Sequence, residues 1–179
     1  NNPEDNSTNI DQAIRNGFTT IISLSYLQAE ELENAAKDNP KLKFALVDGE
    51  ITGKKNISSA TFKDQESAYL AGLAAAYTTK SDQVGFIGGM EGPVIQRFQS
   101  GFEAGVKAGA TSLNKEITVN VQYAASYDSL DKGKAIAASM YKEGVDILYQ
   151  AAGSTGAGVF QEAKARNEND YSRKVWVIG

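Results

Sequence analysis

The chain of 179 residues contains neither cysteine nor histidine. It therefore has no disulfide bridge, no thiol nucleophile, no zinc–thiolate site and no histidine-based catalytic triad of its own. It also lacks the GxSxG, HExxH and EF-hand patterns of familiar hydrolases and metal sites. The composition argues against most enzyme classes, and we predict no catalytic residue, no metal ligand and no cofactor.

Long apolar runs and clusters of positive charge are missing as well. No run approaches the roughly 20 apolar residues that span a bilayer, and the polar start NNPEDNSTN is not a signal peptide. The 18 Lys and Arg residues are scattered along a chain of net charge −4, whereas a nucleic-acid site needs clustered positive charge. We therefore expect no nucleic-acid partner.

The sequence does contain a regular alternation of strand and helix patterns, with 41% hydrophobic and 22% charged residues. Strands are predicted at 20–24, 44–47, 57–62, 83–89, 117–123, 146–150 and 175–178. Helices are predicted at 27–39, 64–79, 93–108, 130–143 and 155–167, and residues 11–17 are predicted to form the end of a helix. Alternating polar residues at 117–123 indicate a strand near a sheet edge. Strands separated by helices predict an α/β protein with parallel sheets covered by helices on both faces.

A domain boundary is predicted at the charged segment Lys80-Ser81-Asp82, which follows a long helix. The favoured organisation is two Rossmann-like lobes, residues 1–80 and 81–179, and a single doubly wound domain is the alternative. Phe98 and Phe102 lie four residues apart on one helix face and are predicted to belong to the core. Trp176 lies within an apolar strand and is predicted to be buried.

Candidate ligand-binding residues follow the predicted strands, because open parallel sheets bind ligands at the carboxyl ends of their strands. Aromatic faces there suit a flat base or sugar, a carboxylate accepts from hydroxyl groups, and backbone N–H groups donate to ring atoms. The candidates are Tyr26, Asp48, Gly89, Met90, Tyr127, Gly153, Ser154 and Thr155.

The stretch DILYQAAGSTGAGVF is the most informative part of this set. An apolar strand enters a glycine-rich turn, and the turn opens onto a helix. Its glycine spacing matches neither the Walker pattern nor GxGxxG, so a nucleotide-phosphate site is disfavoured. Each candidate also has a simpler, structural explanation. The glycines would allow a tight connection between strand and helix, Asp48 would cap a turn, and Tyr127 would be an aromatic residue in an exposed loop.

Several segments resemble the Bmp/PnrA-like family of basic membrane lipoproteins, the nucleoside-binding substrate-binding proteins of ABC importers. These segments are QVGFIGGMEGPVIQRFQSGFEAGVKAG, SYDSLDKGKAIAASMY, DILYQAAGSTGAGVFQEAK, KVWVIG and ISSATFKDQESAYLAGLAAA. The resemblance covers residues 11–179 and implies a periplasmic-binding-protein type I fold. Two lobes of such a protein close on a purine nucleoside, here inosine, guanosine or adenosine.

The resemblance also implies that the protein is not an enzyme and needs no cofactor. It implies a monomer that delivers its ligand to ABC permease subunits, outside the cytoplasm, on a lipid anchor that precedes this chain. Tyr127 matches an aromatic residue that stacks on the base, and Tyr26 stands where related sequences often carry phenylalanine. Ala125 and Ser154 stand where the family has glycine.

Family segments are expected before Asn1 and after Gly179, so we expect the chain to be truncated at both ends and to bind nucleoside weakly by itself. Two other interpretations remain at the level of the sequence. One is a sugar or other small-solute binding protein, or a sensory domain, of the same fold. The other is an α/β enzyme that acts on nucleosides or sugars.

Overall fold

A computed structural model describes residues 3–170 and 172–179 of the chain. Asn1 and Asn2, which begin the polar start NNPEDNSTN, lie outside the described residues. The chain divides into two compact units, Asn1–Phe62 and Lys63–Gly179. Each unit contains one parallel β-sheet with its own helices, and each is considered by itself.

The first unit is built on a three-stranded parallel sheet of order β1-β2-β3. Its elements are α1 (Pro3–Arg15), β1 (Thr20–Ser23), a short 3₁₀ helix (Tyr26–Gln28), α2 (Ala29–Asp38), β2 (Lys43–Val47) and β3 (Ile57–Ala60). The predicted helix at 27–39 thus begins as a 3₁₀ turn, which the side chain of Ser25 caps by accepting a hydrogen bond from the N–H of Leu27 (3.2 Å).

Both helices of the first unit pack on one face of its sheet. Ile21, Phe44 and Ile57 are aligned across the three strands and form a cluster with side chains of α1 and α2. Strand residues alternate between faces, so Ile22 lies on the opposite face and is 60% exposed. Leu24, just beyond β1, is 74% exposed. The described helices of this unit therefore cover one sheet face, whereas coverage of both faces was predicted.

The second unit has a four-stranded parallel sheet of order β5-β4-β6-β7. Its elements are α3 (Asp64–Thr78), β4 (Gln83–Gly88), α4 (Pro93–Leu113), β5 (Thr118–Tyr123), α5 (Leu130–Lys142), β6 (Ile147–Ala151), α6 (Ser154–Asn169) and β7 (Trp176–Ile178). The predicted elements are all found here, and β5 lies at the edge as its alternating pattern predicts.

Helices cover both faces of this second sheet. On one face, residues of α3 and α4 pack against Val84, Phe86 and Tyr149. On the other face, residues of α5 and α6 pack against Ile87 and Leu148. The central strands are therefore buried on both sides, which explains why β4 and β6 read as continuous apolar runs. The predicted parallel α/β architecture is confirmed.

Helices α3 and α4 approach each other through small residues. Gly101, Gly105 and Gly109 recur every four residues along α4, so they share one face of that helix. A Cβ atom on Gly105 would overlap the backbone carbonyl of Tyr69, and one on Gly72 would overlap the carbonyl of Phe102. The two helix backbones are thus in direct contact.

This contact decides which unit contains α3. The helix packs within the second unit, and the boundary between the compact units lies at 62/63 rather than at the predicted segment 80–82. A run of small residues shows that a helix packs closely, but it does not identify the partner. The assignment of residues 1–80 and 81–179 to the two lobes of the whole protein stays a prediction.

The predicted core residues have mixed outcomes. Phe102 is fully buried, and Phe98 packs partly buried against the same cluster. The prediction for Trp176 is wrong, because this side chain is 53% exposed. Val175 and Val177 pack against the cluster under α5 and α6, so strand alternation turns Trp176 to the opposite face of β7.

Asp146 links the start of β6 to the loop that joins α3 and β4. Its buried carboxylate accepts hydrogen bonds from the hydroxyl of Thr79 (2.6 Å) and from the N–H groups of Lys80 (2.6 Å) and Ser81 (3.0 Å). Hydrogen bonds to a charged acceptor are among the stronger ones in proteins. The carboxylate thereby pairs with two backbone N–H groups, those of Lys80 and Ser81, in a loop outside the helices and strands.

We expect Asp146→Asn to lower the free energy of unfolding by about 1 kcal/mol, because a neutral amide oxygen in the place of the charged oxygen would accept weaker hydrogen bonds from the N–H groups of Lys80 and Ser81. Urea titration of the full-length protein measures this. Asp82→Asn is the matched control: Asp82 is an exposed partner of Lys115 (2.9 Å), and asparagine tolerates its left-handed backbone (φ 55°). Equal stability of the two variants would contradict the role given to Asp146.

Candidate ligand-binding site

In the first unit, Tyr26 and Asp48 lie on neighbouring loops at the carboxyl end of the sheet. Tyr26 opens the 3₁₀ helix after β1 and is half-buried, and Asp48 follows β2. A Cβ atom on Gly49 would lie 3.1 Å from both Cα and Cβ of Tyr26, so the two loops touch. The structure brings these two predicted residues together.

Asp48 has a left-handed backbone conformation with φ 63°. Its N–H donates to the carbonyl of Ala60 (2.8 Å), which continues the pairing between β2 and β3 by one residue. Aspartate tolerates this conformation better than most residues, so the turn alternative is consistent with the geometry. Its carboxylate nevertheless remains at the sheet edge, where it would be able to accept from a ligand hydroxyl.

In the second unit, Tyr127 lies against Gly89. Gly89 directly follows β4, is buried, and donates its N–H to the carbonyl of Ala151 (3.0 Å). A Cβ atom on Gly89 would overlap the ring of Tyr127. Glycine at this position therefore lets the ring rest directly on the backbone at the end of β4. Met90, the next residue, is 43% exposed.

Gly153 and Ser154 are exposed at the start of α6. Gly153 has φ 56° and ψ −133°, a combination that essentially only glycine adopts. The next two glycines of the stretch lie within α6 and serve packing. A Cβ atom on Gly156 would overlap the side-chain amide of Gln150, and one on Gly158 would overlap the carbonyl of Leu130.

Thr155 lies fully buried within the first turn of α6. Its hydroxyl donates to the carbonyl of Ser126 (3.2 Å) and accepts from the N–H of Ser129 (2.9 Å). Its own N–H is shared between the carbonyls of Tyr127 and Ala152, each at 3.1 Å. The side chain predicted to contact ligand is thus engaged by the loop that carries Tyr127.

Tyr123 is a neighbouring aromatic residue that was not among the predicted candidates. It ends β5 and donates its hydroxyl to Oε1 of Gln99 (2.6 Å), and Gln99 in turn donates to Oε1 of Glu103 (2.7 Å). Burial, followed by the carboxylates of Glu91 and Glu103, raises the pKa of Tyr123 above its ordinary value. Its position at a strand end was the available signal in the sequence.

The predicted site residues thus form two groups, each at the carboxyl end of the sheet in its own unit. Two cavities, of about 390 Å³ beside Pro40 and about 620 Å³ beside Leu70, are lined by none of the predicted site residues. Among residues 3–170 and 172–179, no cluster of three acidic side chains is arranged to hold a metal ion. No described helix is long and apolar enough to cross a membrane.

Ala125 begins the Tyr127 loop with a left-handed backbone, φ 48°. This conformation costs about 1–2 kcal/mol for a residue with a Cβ atom, whereas glycine adopts it without strain. We expect Ala125→Gly to raise the free energy of unfolding by about 0.5–1 kcal/mol once the greater chain entropy of glycine is subtracted. Urea titration measures the change.

Asn114→Gly provides the control for this prediction. Asn114 caps α4 with a similar φ of 49°, and asparagine already tolerates this conformation. The increase in the free energy of unfolding should therefore be clearly smaller for Asn114→Gly than for Ala125→Gly. A loss of stability in the Ala125→Gly variant would show that the loop is not strained at this residue.

The sequence matches, over residues 1–179, the family profile described as ABC transporter substrate-binding protein PnrA-like (Bmp). A similar curated protein is the ABC transporter nucleoside-binding protein BmpA of Lactococcus lactis subsp. cremoris, 47% identical over 100% of this chain and 50% of that protein. Basic membrane protein A of Borreliella burgdorferi is 34% identical over 87% of this chain and 45% of its own. The chain spans about half the length of these relatives.

Solved structures share the fold. An ABC transporter solute-binding protein from Aeropyrum pernix K1 matches with a TM-score of 0.90 and 28% identity, over 99% of this chain and 50% of that one. GanP, a glucose-galactose binding protein from Geobacillus stearothermophilus, matches with a TM-score of 0.73 and 18% identity, over 99% of this chain and 62% of that one. The second likeness concerns the fold alone.

Proposed function

The chain belongs to the Bmp family of PnrA-like ABC transporter substrate-binding proteins, and from this premise we propose that its protein captures a purine nucleoside for import. The ligand would be inosine, guanosine or adenosine, taken up outside the cytoplasm by a lipid-anchored monomer and passed to ABC permease subunits. A relative at 47% identity is named as nucleoside-binding. The family and this relative are named as binding proteins rather than enzymes, which disfavours the enzyme alternative.

The observation that carries the proposal is the placement of Tyr127 on Gly89. An aromatic ring supported from behind by bare backbone presents a firm platform, and base–aromatic stacking contributes about 1–3 kcal/mol per base. The exposed start of α6 at Gly153 and Ser154 lies beside the same loop, since a Cβ atom on Gly153 would be 3.3 Å from the carbonyl of Tyr127. Polar backbone and hydroxyl groups thus stand next to the platform.

The roles of the individual residues follow from their chemistry. Tyr127 would stack on the base, with Gly89 and Met90 beside it, and Ser154 would hydrogen-bond polar atoms of the ligand. In the first unit, Asp48 would accept from ribose hydroxyls and Tyr26 would contribute an aromatic face. Ligand binding would favour the closed arrangement of the two lobes, because it adds contacts that the open arrangement lacks.

Isothermal titration calorimetry of the full-length protein with inosine, guanosine, adenosine and ribose tests the proposal. We expect a stoichiometric interaction with at least one nucleoside and no comparable interaction with ribose. Chromatography of the titrated sample should recover intact nucleoside, because a binding protein releases no free base. Binding of ribose without any nucleoside, or release of free base, would overturn the proposal.

A further inference from the structure

We propose that Thr155 is a positioning residue, whose buried hydroxyl sets the place of the Tyr127 ring rather than contacting ligand. The inference rests on the proposed function, since it assigns to Thr155 a way of tuning the nucleoside platform. It also changes the role that the sequence suggested, in which Thr155 was a ligand contact like Gly153 and Ser154.

Thr155 holds the loop backbone on both sides of Tyr127. One bond reaches the carbonyl of Ser126, just before the tyrosine, and one reaches the N–H of Ser129, two residues after it. The N–H of Thr155 also donates to the carbonyl of Tyr127 itself. The loop backbone is thereby tied to the first turn of α6 just before the tyrosine, at the tyrosine and two residues after it.

The Thr155 hydroxyl has no proton left to donate to a ligand. A threonine hydroxyl has one proton, and that proton is directed to the carbonyl of Ser126. The side chain is fully buried, so a ligand at the sheet edge does not reach it. Any effect of this hydroxyl on binding must therefore act through the loop.

Thr155 is itself held firmly, which allows it to act as an anchor. A Cβ atom on Gly133 of α5 would overlap the carbonyl of Thr155 and lie 3.2 Å from its Cγ2 methyl. A branched side chain in a helix also has few rotamers available. The packing of α5 against α6 thus fixes Thr155, and Thr155 fixes the loop.

The loop backbone tied to Thr155 holds the ring in place, and the backbone of Gly89 lies below it. A ring placed before the ligand arrives does not have to be ordered during binding, which improves affinity. Loss of the hydroxyl should release the loop while leaving the ring and the ligand-facing groups chemically unchanged.

The test compares Thr155→Val, which keeps the shape but removes the hydroxyl, with Thr155→Ser, which keeps the hydroxyl. Both are made in the full-length protein. Calorimetry measures affinity for the nucleoside bound most tightly, and hydrogen exchange resolved by NMR measures protection of the Ser129 N–H without ligand. Thr155→Val removes both hydrogen bonds of the hydroxyl. We expect it to weaken binding about tenfold and to speed Ser129 exchange about tenfold, because the Ser129 N–H loses its acceptor and the loop loses its tie to α6.

The serine variant should stay within about threefold of the natural protein in both measurements, because its hydroxyl can make both bonds. Thr111→Val serves as the control substitution, since the exposed Thr111 donates to the carbonyl of Lys107 on α4 and is not part of the loop. It should change neither measurement.

The inference would be overturned by unchanged Ser129 exchange in Thr155→Val, or by faster exchange with undiminished affinity. Equal defects in the valine and serine variants would also overturn it, because the hydroxyl would then be irrelevant. Failure of the proposed function is a separate outcome, in which the unsubstituted protein binds no nucleoside while the exchange experiment still reports on the loop.

Discussion

Replacing Tyr127 with alanine in the full-length protein should lower its nucleoside affinity by about 5- to 150-fold, because a stacked base loses about 1–3 kcal/mol and each 1.4 kcal/mol is tenfold. The ring rests on Gly89, which has no side chain of its own to offer the base. Calorimetry with the nucleoside bound most tightly measures the loss. Tyr127→Phe, which keeps the ring, should retain most of the affinity.

Tyr77→Ala is the matched control for this prediction. Tyr77 is 55% exposed on α3, where its hydroxyl donates to Ser112 (2.9 Å). It has no place among the residues at the sheet edge, so its removal should leave the affinity within about twofold. Undiminished binding by the Tyr127→Ala protein would contradict the stacking role and favour a ligand held by polar groups alone.

Replacing Gly105 with alanine should lower the free energy of unfolding by about 3 kcal/mol, the upper range for forcing a methyl group into a packed core. The added Cβ would overlap the carbonyl of Tyr69 and lie 3.0 Å from the backbone nitrogen of Leu73. Backbone atoms of a helix have no alternative rotamer, so α3 and α4 must move apart. Urea titration of the full-length protein measures the loss.

Ser100→Ala is the control on the same helix. Ser100 is exposed on α4. Alanine at this position raises the helix propensity, as alanine at Gly105 does, but its methyl group does not overlap another helix backbone. This variant should be as stable as the natural protein or slightly more stable. If Gly105→Ala were equally stable, the close approach of the two helices would not contribute to folding as described.

The elements were predictable where hydrophobic pattern alone determines structure. The buried run of β4, the alternating pattern of β5 and the proline that starts α4 are local signals, and each element lies within a few residues of its predicted place. Tyr26 and Asp48 were likewise predicted to lie at one sheet edge, because parallel strands bring their carboxyl ends together.

Other features depend on partners that are distant in the sequence. Thr155 bonds residues 26 and 29 positions away, and no local pattern distinguishes a buried hydroxyl in that role from one that faces a ligand. The boundary between the compact units at 62/63 could not be read from the sequence for the same reason, since the small residues of α3 do not reveal that their partner is α4. Exposure of Trp176 depends on which sheet face the neighbouring helices leave open.

Asp146 has a consequence for how such a protein can change during evolution or in the laboratory. Its bonds to Thr79, Lys80 and Ser81 lie where β4 and β6 begin, whereas Gly89 and Gly153 lie where those strands end. The six residues of β4 separate the two edges by about 20 Å. Under the proposed function, substitutions that retune ligand preference would fall at the opposite edge of the sheet from this buried carboxylate, so they would leave its hydrogen bonds intact.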